Sequence, residues 1–269
     1  MIQEKIAMVK RMIILMAALM LALIFASCSG SERTYEDFID TGAIIAFELG
    51  DIYDDLARNL FKAKSVREYS NVESMLESLN VGSIDAVLVG SGYVRQLINS
   101  GLYPDFEYFW IPEDIFVNKA APVFHTEELR DKYNEWFAGI AGDGTWGEVV
   151  GRWINLPLPD TADIPRFEFT GENGTLRICD TGNYPPLSYY DGEGILVGFD
   201  MDMASRFAQY MGMDVEVIII DYGSIVEYVS SGRADMSAAT FAVTGEREQD
   251  IIFGEPSVIH HAVLIARKR

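Results

Sequence analysis

The chain has 269 residues, and its 41 Asp and Glu residues against 21 Lys and Arg residues give a net charge of −20 at pH 7. A surface of that charge repels nucleic acid and anionic lipid headgroups, so neither is expected as a partner. The length is sufficient for one large or two modest lobes. The two cysteines, Cys28 and Cys179, and the lack of CxxC, HExxH or paired-histidine spacing indicate neither a disulfide framework nor a metal site, and no cofactor is expected.

The first 27 residues (1–27) predict a secretory signal peptide. A basic start is followed by the apolar run MIILMAALMLALIFA (12–26), which is too short to span a bilayer and ends at small residues. Cys28 follows as in a bacterial lipobox, whose cysteine is lipidated, although Phe25 stands where leucine is usual. We therefore expect a lipid anchor on Cys28 and a tether at 28–34 on the extracytoplasmic side. A secreted protein with an unmodified Cys28 is the alternative.

Strand-like and helix-like stretches alternate between residues 43 and 118. Continuous apolar runs predict buried strands, while apolar residues spaced three and four apart predict amphipathic helices. Such alternation is typical of a mainly parallel sheet in an α/β protein. The predicted elements are strand AIIAFEL (43–49), helix IYDDLARNLF (52–61), helix VESMLESLNV (72–81), strand IDAVLVG (84–90) and helix YVRQLINSG (93–101).

A second alternating block covers the later part of the chain. A long helix at 128–153 and a proline-bearing linker at 154–173 separate it from the first block. Its predicted elements are strand LRICDT (176–181), helix DMDMASRFAQYMGM (200–213), strand VEVIIID (215–221), helix SIVEYVSSG (224–232), strand ADMSAATF (234–241) and strand HAVLIA (261–266).

One helix–turn–strand unit occurs in both blocks. SMLESLNVGSID (74–85) and SIVEYVSSGRAD (224–235) share Ser, Glu, Gly and Asp at positions 150 residues apart. Each copy is expected to belong to a sheet of its own, which predicts two similarly built α/β lobes. Ligands of open α/β sheets bind beyond the carboxyl ends of the strands, and a cleft between two facing lobes suits capture of a small molecule by hinge closure.

The later block resembles a known family. GTLRICDTGNYPPLSYYDGEGILVGFDMDMASRFAQYMG (174–212) is similar to the opening of family 3 solute-binding proteins, the amino-acid receptors of ABC importers, and ADMSAATFAVTGEREQDIIFGEPS (234–257) resembles the family's strand, T-x-x-R motif and F-S-x-P segment. The chain before the linker, residues 35–153, is called the earlier block below. Its segment YEDFIDTGAIIAFELGDIYDDL (35–56) resembles the start of the family's second lobe, and its segment LRDKYNEWFAGIAGDGTWGEVVGRW (129–153) resembles the family's C-terminal helices. The resemblance implies a type II periplasmic-binding-protein-like clamp, an α/β fold with two lobes joined at a hinge.

The order of these parts departs from that of the family, in which the lobe resembling 174–269 comes first. We expect a circular permutant with a second-lobe-like domain at 35–119, helices at 120–153 that pack on the other lobe, a linker at 154–173 and a first-lobe-like domain at 174–269. Neighbouring surface termini make such a rearrangement tolerable. A truncated tandem receptor, or closure by exchange with another chain, is the alternative.

The resemblance implies ligand-binding residues in the later block. Arg247 matches the family's arginine that holds a ligand carboxylate through a bidentate guanidinium fork, and a surface arginine paired with a neighbouring glutamate is the alternative. Tyr184 and Tyr222 match positions whose rings enclose the ligand. Thr181 stands where the family usually has an aspartate, with Asp180 one residue earlier.

Other matched positions also depart from the family. Ala242 stands where a serine or threonine is usual, so only its backbone N–H could serve, while Thr240 keeps a hydroxyl nearby. Gly90 replaces the aspartate that binds the ligand's ammonium, and an ammonium in a closed cleft without an anionic partner is unfavourable. Asp51, which follows Gly50, could compensate or could cap the next helix. The expected ligand is therefore an unusual amino acid or a small organic acid, and loss of the ligand is the alternative.

These residues predict a binding protein rather than an enzyme. The expected function is a lipid-anchored, extracytoplasmic receptor for a small carboxylate-bearing solute, feeding an ABC permease in the inner membrane. A sensor or scaffold of the same fold is one alternative, and a dehydratase-like enzyme with an acidic cleft residue is another. No nucleophile–base pair or nucleotide loop is found, so no catalytic residue is assigned. Asp200 and Asp202 are interpreted as helix caps, and His260 as a strand residue.

Overall fold

The computed structural model describes residues 33–154 and 163–269. The predicted signal peptide, Cys28 and most of the predicted tether lie outside the described residues. Within the two described ranges, no helix is both long enough and apolar enough to cross a membrane.

The chain divides into an N-terminal unit, 1–37, and a second unit, 38–269. In the described part of the first unit, the Thr34 amide donates a hydrogen bond of 2.7 Å to Asp37 Oδ2. The elements and the site described below belong to the second unit.

The strands of the second unit form three sheets. The strands at 44–48, 86–90 and 258–267 contain apolar runs rich in isoleucine and valine, which is the pattern that predicts burial. In chain order the strands are β1 (Ile44–Glu48), β2 (Ser65–Tyr69), β3 (Ala86–Gly90), β4 (Phe106–Trp110), β5 (Val117–Ala121), β6 (Val123–Phe124), β7 (Thr175–Asp180), β8 (Asn183–Tyr184), β9 (Ser188–Tyr190), β10 (Leu196–Val197), β11 (Asp214–Ile219), β12 (Met236–Ser237), β13 (Phe241–Ala242), β14 (Ile252–Phe253) and β15 (Val258–Arg267).

A seven-stranded sheet organises lobe A, which we define as 38–121 and 258–269. Its strand order is β13-β5-β15-β3-β1-β2, and β4 also pairs with β15. β1 is parallel to β2 and β3, whereas β15 is antiparallel to β3, β4 and β5. The first half of β15 pairs with β5 and its second half with β3 and β4, so this strand extends from the hinge into the centre of lobe A.

A five-stranded sheet with the order β11-β7-β12-β6-β14 organises lobe B, defined as 123–154 and 163–257. β7 is parallel to β11 and β12, while β6 is antiparallel to β12 and β14. A small antiparallel sheet, β10-β9-β8, belongs to the same lobe. The chain passes between the lobes at Pro122 and again between β14 and β15, and β13, within the span of lobe B, reaches across to pair with β5 of lobe A. The predicted α/β class and two-lobe clamp are confirmed, and β13 and β15 of the later block lie in the sheet of lobe A.

The long helix predicted at 128–153 is two helices, because Gly144 between them has a φ of +93°. That left-handed conformation ends a helix, and glycine adopts it without steric cost. Short helical turns also occur at Leu56–Leu60, Tyr222–Ser224 and Arg247–Gln249. The α-helices are α1 (Val72–Asn80), α2 (Ser91–Ser100), α3 (Glu127–Asp143), α4 (Thr145–Trp153), α5 (Phe199–Met211) and α6 (Ile225–Ser230).

Each lobe has its own apolar core. In lobe A, α1 packs Leu76 and Leu79 against Val87 of β3 and Val263 of β15. In lobe B, Trp153 of α4 packs in one cluster with residues of α3, α5 and β7. Lobe B therefore needs helices from the earlier block to bury the apolar face of the later block.

The repeated helix–turn–strand unit occupies equivalent places in the two sheets. Each copy contributes a helix, α1 or α6, and the third parallel strand, β3 or β12, which lies beside an antiparallel strand that comes from the other block. Gly82 and Gly232 follow these helices with φ values of +79° and +74°. The two strand orders, β2-β1-β3-β15-β4 and β11-β7-β12-β6-β14, correspond position by position.

The aspartates of the repeat make the same hydrogen bond in both lobes. Asp85 Oδ2 accepts the Ile44 N–H of β1 at 2.8 Å, and Asp235 Oδ2 accepts the Arg177 N–H of β7 at 2.8 Å. Asp235 also forms an ion pair with the Arg177 guanidinium at 2.6 Å. Each carboxylate therefore fixes the start of its parallel strand pair.

Replacing either aspartate with alanine should destabilise its own lobe. We expect Asp85→Ala to lower the free energy of unfolding by about 1 kcal/mol and Asp235→Ala by about 2 kcal/mol, because the second change also removes a partly exposed ion pair. Urea unfolding measures both values. Asp114→Ala, at an exposed position, is the control and should change stability by no more than about 0.5 kcal/mol. Equal effects of Asp235→Ala and the control would contradict this role.

Candidate functional site

A small cavity lies between the lobes, where the carboxyl ends of β1 and β3 face the carboxyl end of β7. Its volume is about 50 Å³, which is room for one or two water-sized groups. Ligand sites of α/β sheets occur at such strand ends. Six of the residues predicted to bind a ligand line it: Asp51, Gly90, Thr181, Tyr184, Tyr222 and Thr240.

Two hydrogen bonds cross the cleft between predicted binding residues. The Gly90 N–H donates to Tyr184 Oη at 3.2 Å, and Arg247 Nη2 donates to the Gly50 carbonyl oxygen at 2.6 Å. Each bond joins a backbone group of lobe A to a side chain of lobe B. The lobes are therefore closed on each other at this point.

Arg247 lies beside the cavity rather than in its lining. Its Nη1 donates to the Ala242 carbonyl oxygen at 3.4 Å, and its amide donates to Thr244 Oγ1 at 3.3 Å. Ala242 pairs with Ala120 in the ladder between β13 and β5. Carbonyl oxygens from both lobes, rather than a neighbouring glutamate, thus hold the guanidinium at the mouth of the cleft.

The two predicted tyrosines are fixed by aromatic neighbours. Tyr222 stacks on Phe241 with ring centroids 4.4 Å apart, and its Oη donates to the Thr240 carbonyl oxygen at 3.5 Å. Tyr184 packs against Tyr93 of lobe A with centroids 4.9 Å apart. Both rings are therefore held at the cavity by contacts that do not involve a ligand.

Gly90 leaves space that three polar side chains fill. A Cβ atom at this position would lie 3.2 Å from Tyr184 Oη, 3.7 Å from Tyr53 Oη and 3.8 Å from His260 Nδ1. An aspartate side chain at position 90 would displace these groups. Where the family has that aspartate, this protein therefore has a glycine, and other polar side chains fill the space.

Asp51 lines the cavity, whereas Asp180 does not. Helical structure after Asp51 begins only at Asp54, and the Asp51 carboxylate accepts the N–H of its neighbour Ile52 at 2.7 Å, so Asp51 lines the cavity and is not a helix cap. Burial raises the pKa of Asp51 to about 6, while the Ile52 hydrogen bond and Arg247 lower it. Asp180 does not line the cavity, because its carboxylate accepts N–H groups of its own turn, including Thr181 at 2.6 Å.

The later block matches a known protein family. Residues 176–269 match the family described as bacterial extracellular solute-binding proteins, family 3. These 94 of the 269 residues are therefore similar to family 3. The expectation from sequence is confirmed, and the family is extracytoplasmic.

The curated relatives of the chain are similar to it over only part of their length. Cyclohexadienyl dehydratase of Pseudomonas aeruginosa is 33% identical over 85 residues, which are 32% of each chain. The L-cystine-binding protein TcyJ of Escherichia coli is 26% identical over 120 residues, which are 45% of each chain. Among solved structures, an ancestral arginine-binding protein bound to arginine is 37% identical over 28% of this chain and 34% of that chain, with a TM-score of 0.27. The chain thus spans less than half the length of the curated relatives it matches.

The cleft contains acidic residues that the sequence did not indicate. Glu48, the last residue of β1, is 5% exposed and lines the cavity together with Asp200. Burial, followed by the charges of Asp51, Glu73 and Asp221, raises the pKa of Glu48 to about 8. Burial and the charge of Asp180 also raise the pKa of Asp200. Near pH 7 the Glu48 carboxyl group is therefore mainly protonated.

His260, Tyr53 and Asn118 also line the cavity without having been predicted. Burial, and then the neighbouring His261, lowers the pKa of His260 to about 4, so its ring is neutral at pH 7. The strand interpretation of His260 is confirmed, since it lies in β15. A polar residue within an apolar hinge strand was the one signal in the sequence that could have identified it.

The interpretation of Asp200 and Asp202 as helix caps is wrong. Gly198 occupies the N-cap position of α5, and no side chain makes a capping hydrogen bond there. Both aspartates are buried in the first turn, Asp200 at the cavity and Asp202 against α4. Asp200 therefore faces the cavity and Asp202 contacts α4, and neither side chain caps the end of the helix.

Glu48→Gln should make the protein more stable at alkaline pH. Because the folded-state pKa of Glu48 is about 8 against an ordinary 4.5, its protonated form contributes stability that is complete below pH 4.5 and is lost as the pH rises through 8. Glutamine cannot ionise. We expect the variant to match the parent near pH 5 and to exceed it by about 2 kcal/mol near pH 8.5 in urea unfolding.

Glu68→Gln is the matched control, because Glu68 lies exposed on the neighbouring edge strand β2. Its pH profile should run parallel to that of the parent protein. On the acid side, loss of stability between pH 6.5 and 4 is expected from His260 in all three proteins. A parallel profile for Glu48→Gln as well would contradict a protonated Glu48.

Proposed function

We propose that the chain is an extracytoplasmic receptor that binds a small carboxylate-bearing solute, an amino acid or a related organic acid, between its two lobes. In this proposal a lipid on Cys28 anchors it to the membrane, and an ABC permease receives the solute. Family membership of 176–269 supports a solute-binding role. The observation that carries the ligand class is the Arg247 guanidinium, which reaches across the cleft to an oxygen atom of lobe A.

Arg247 can exchange one oxygen acceptor for another. In the closed cleft its Nη2 donates to the Gly50 carbonyl oxygen and its Nη1 to that of Ala242. A ligand carboxylate is a stronger acceptor than either carbonyl because it is charged, and it matches the two parallel donors of a guanidinium. Binding would therefore begin with the lobes apart and would be completed by closure around the bound carboxylate.

The circular permutation remains part of the proposal. Two observations support it: β15 of the later block lies between β3 and β4 of the earlier block, and β6 of the earlier block lies between β12 and β14 of the later one. The proposed domains are 35–119, 120–153 and 174–269, with the linker at 154–173. Native mass spectrometry tests the proposal, because a monomer that binds one ligand supports permutation, whereas an obligate dimer supports exchange between chains.

A ligand screen tests the receptor proposal. The full chain is incubated with small carboxylates, including the proteinogenic amino acids and their analogues without the amino group, and thermal shifts are followed by calorimetric titration. At least one carboxylate should bind with a dissociation constant in the micromolar range or below. A screen in which no carboxylate shifts the melting temperature would contradict the proposal.

A dehydratase is the second candidate function, because Glu48 is a protonated acid in the cleft and a relative is named cyclohexadienyl dehydratase. In such a reaction the Glu48 proton goes to a leaving hydroxyl group, the C–O bond breaks with its electron pair on oxygen, and the carboxylate then removes a proton from the adjacent carbon as the double bond forms. Chromatography of hydroxy acids incubated with the purified protein tests this. Turnover that Glu48→Gln abolishes, with binding retained, would favour the enzyme.

A further inference from the structure

Four buried side-chain oxygens at the cavity make no hydrogen bond to any described residue. They belong to Asn118 (Oδ1), Ser188 (Oγ), Asp200 (Oδ1) and Thr240 (Oγ1), which are 8%, 1%, 3% and 9% exposed. All four residues line the same cavity. Buried polar atoms are almost always paired, because leaving them unpaired costs stability. Their convergence on one small space therefore points to an occupant that contacts several oxygens at once.

These oxygens come from lobe B and from the strand that joins the lobes. Ser188 lies in β9, Asp200 in the first turn of α5, and Thr240 directly before β13. Asn118 lies in β5, which pairs with β13 on one side and with β15 on the other. An occupant bound to all four would therefore connect β5 to the body of lobe B.

The surroundings of the four oxygens are acidic. Burial raises the pKa of Asp180 and the Ser188 hydroxyl lowers it, while burial and then the charge of Asp180 raise the pKa of Asp200. These three side chains are therefore neighbours. In the part of the chain that the structure describes, no lysine, arginine or histidine forms an ion pair with either carboxyl group.

A cation removes two unfavourable features of this arrangement together. Protonation of Asp200 would remove its charge, but its Oδ1 atom would still lack a hydrogen-bond partner. Buried carboxylates are stable when they are paired or coordinate a cation, and the same cation can contact neutral oxygens. The acidic surroundings thus favour a positively charged occupant over a neutral one.

An alkali-metal cation has the required chemistry. Na⁺ and K⁺ are bound by carbonyl, hydroxyl and carboxylate oxygens, and a cavity of about 50 Å³ has room for such an ion. The four side chains provide two hydroxyls, one amide oxygen and at most one negative charge. Within residues 33–154 and 163–269, no three His, Cys, Asp or Glu side chains are grouped as a metal site, so a divalent ion is disfavoured.

We propose that Asn118, Ser188, Asp200 and Thr240 form a binding site for one alkali-metal cation. The cation is not the solute of the proposed receptor, and the site requires no solute. Its role is to hold β5 against lobe B and so to stabilise the protein at the hinge. No sequence motif indicates this site, because its oxygens come from four separate parts of the fold.

Urea unfolding in matched salts tests the cation site. The full chain is unfolded without solute at about pH 7, in sodium, potassium or choline chloride at about 100 mM. Equal ionic strength is needed because any salt screens the self-repulsion of a chain with a net charge of −20. Choline is too large for the cavity, so it supplies ionic strength without entering the site.

The parent protein is compared with two site variants and one control. Ser188→Ala and Thr240→Val each remove one unpaired hydroxyl with little change in shape, and two variants are used so that poor folding of one leaves the test intact. Thr175→Val is the control, because Thr175 lies exposed at the start of β7.

We expect sodium or potassium to lower the unfolding equilibrium constant of the parent about tenfold relative to choline, or about 1.4 kcal/mol. A ligand present at about ten times its dissociation constant has this effect. Both site variants should lose most of the difference, and in choline they should be about as stable as the parent, because a buried unpaired hydroxyl has been removed. Thr175→Val should keep the tenfold difference.

Three results would overturn the proposal. Equal stability in all three salts would show that no alkali-metal cation binds. A tenfold difference that persists in both site variants would place the cation elsewhere. Stabilisation by calcium or magnesium chloride at the same ionic strength, but not by sodium or potassium, would show that the ion is divalent. None of these results bears on the receptor proposal, which the ligand screen tests separately.

Discussion

Arg247→Ala is expected to weaken the binding of a carboxylate ligand about 100-fold, which corresponds to roughly 2–3 kcal/mol. The change removes the positive charge next to a cleft whose nearest ionisable groups, Asp51 and Glu48, are acidic. It also removes the hydrogen bond to the Gly50 carbonyl oxygen that joins the lobes. Calorimetric titration with the best ligand of the screen measures the loss, which follows from the proposed receptor function.

Arg247→Lys separates the charge of this side chain from its geometry. Lysine keeps the positive charge but offers no planar pair of donors, so we expect it to restore only part of the affinity and to remain about tenfold weaker than arginine. Arg130→Ala, on the surface of α3, is the control for loss of one positive charge and should bind like the parent protein. An Arg247→Ala variant with unchanged affinity would show that the guanidinium serves closure alone.

The central strands could be predicted because they are short apolar runs with clear ends, whereas β2, with the sequence SVREY, was missed and the strand expected at 234–241 is two strands, β12 and β13. AIIAFEL and IDAVLVG, for example, became β1 and β3 within two residues of their expected bounds. The break at Gly144 was missed because the apolar spacing continues across it, and only the backbone conformation reveals the second helix. The placement of β15 in lobe A was also beyond the pattern, since an apolar run indicates burial but not the sheet in which it is buried.

The site could be predicted only where the family resemblance supplied positions. Tyr184 and Gly90 share a hydrogen bond at the cavity, and Arg247 lies beside the cavity and bonds to Gly50; that these residues bind a ligand stays a prediction. Glu48 and Asn118 could not be found in this way, because each is a single polar residue at the end of, or within, a strand whose neighbours are mostly apolar. Their importance arises from tertiary structure, which closes a cavity around them and leaves Asn118 Oδ1 without a hydrogen-bond partner in the described part of the chain.

Asp202→Asn is expected to lower the free energy of unfolding by about 3 kcal/mol. Asp202 is 3% exposed, and its carboxylate accepts hydrogen bonds from Arg206 Nε at 2.5 Å, Trp153 Nε1 at 2.9 Å and Arg152 Nη1 at 3.1 Å. Asparagine has nearly the same shape but no charge, so two partly buried guanidinium groups lose their counter-ion. Urea unfolding at low and high salt measures the loss, which should change little with salt because the pair is buried.

Asp54→Asn is the matched control, because Asp54 and Arg58 form an ion pair with the same four-residue spacing on an exposed surface. Its effect should stay below about 0.5 kcal/mol and should disappear at high salt.

The difference between the effects of Asp202→Asn and Asp54→Asn also tests how the two blocks are held together. Asp202 lies in α5 of the later block, whereas Arg152 and Trp153 lie in α4 of the earlier block, so the buried carboxylate joins the two parts whose order departs from the family. If Asp202→Asn is no more damaging than Asp54→Asn, the contact between α4 and α5 does not hold the blocks together, and the permuted arrangement must depend on the strands that cross the hinge.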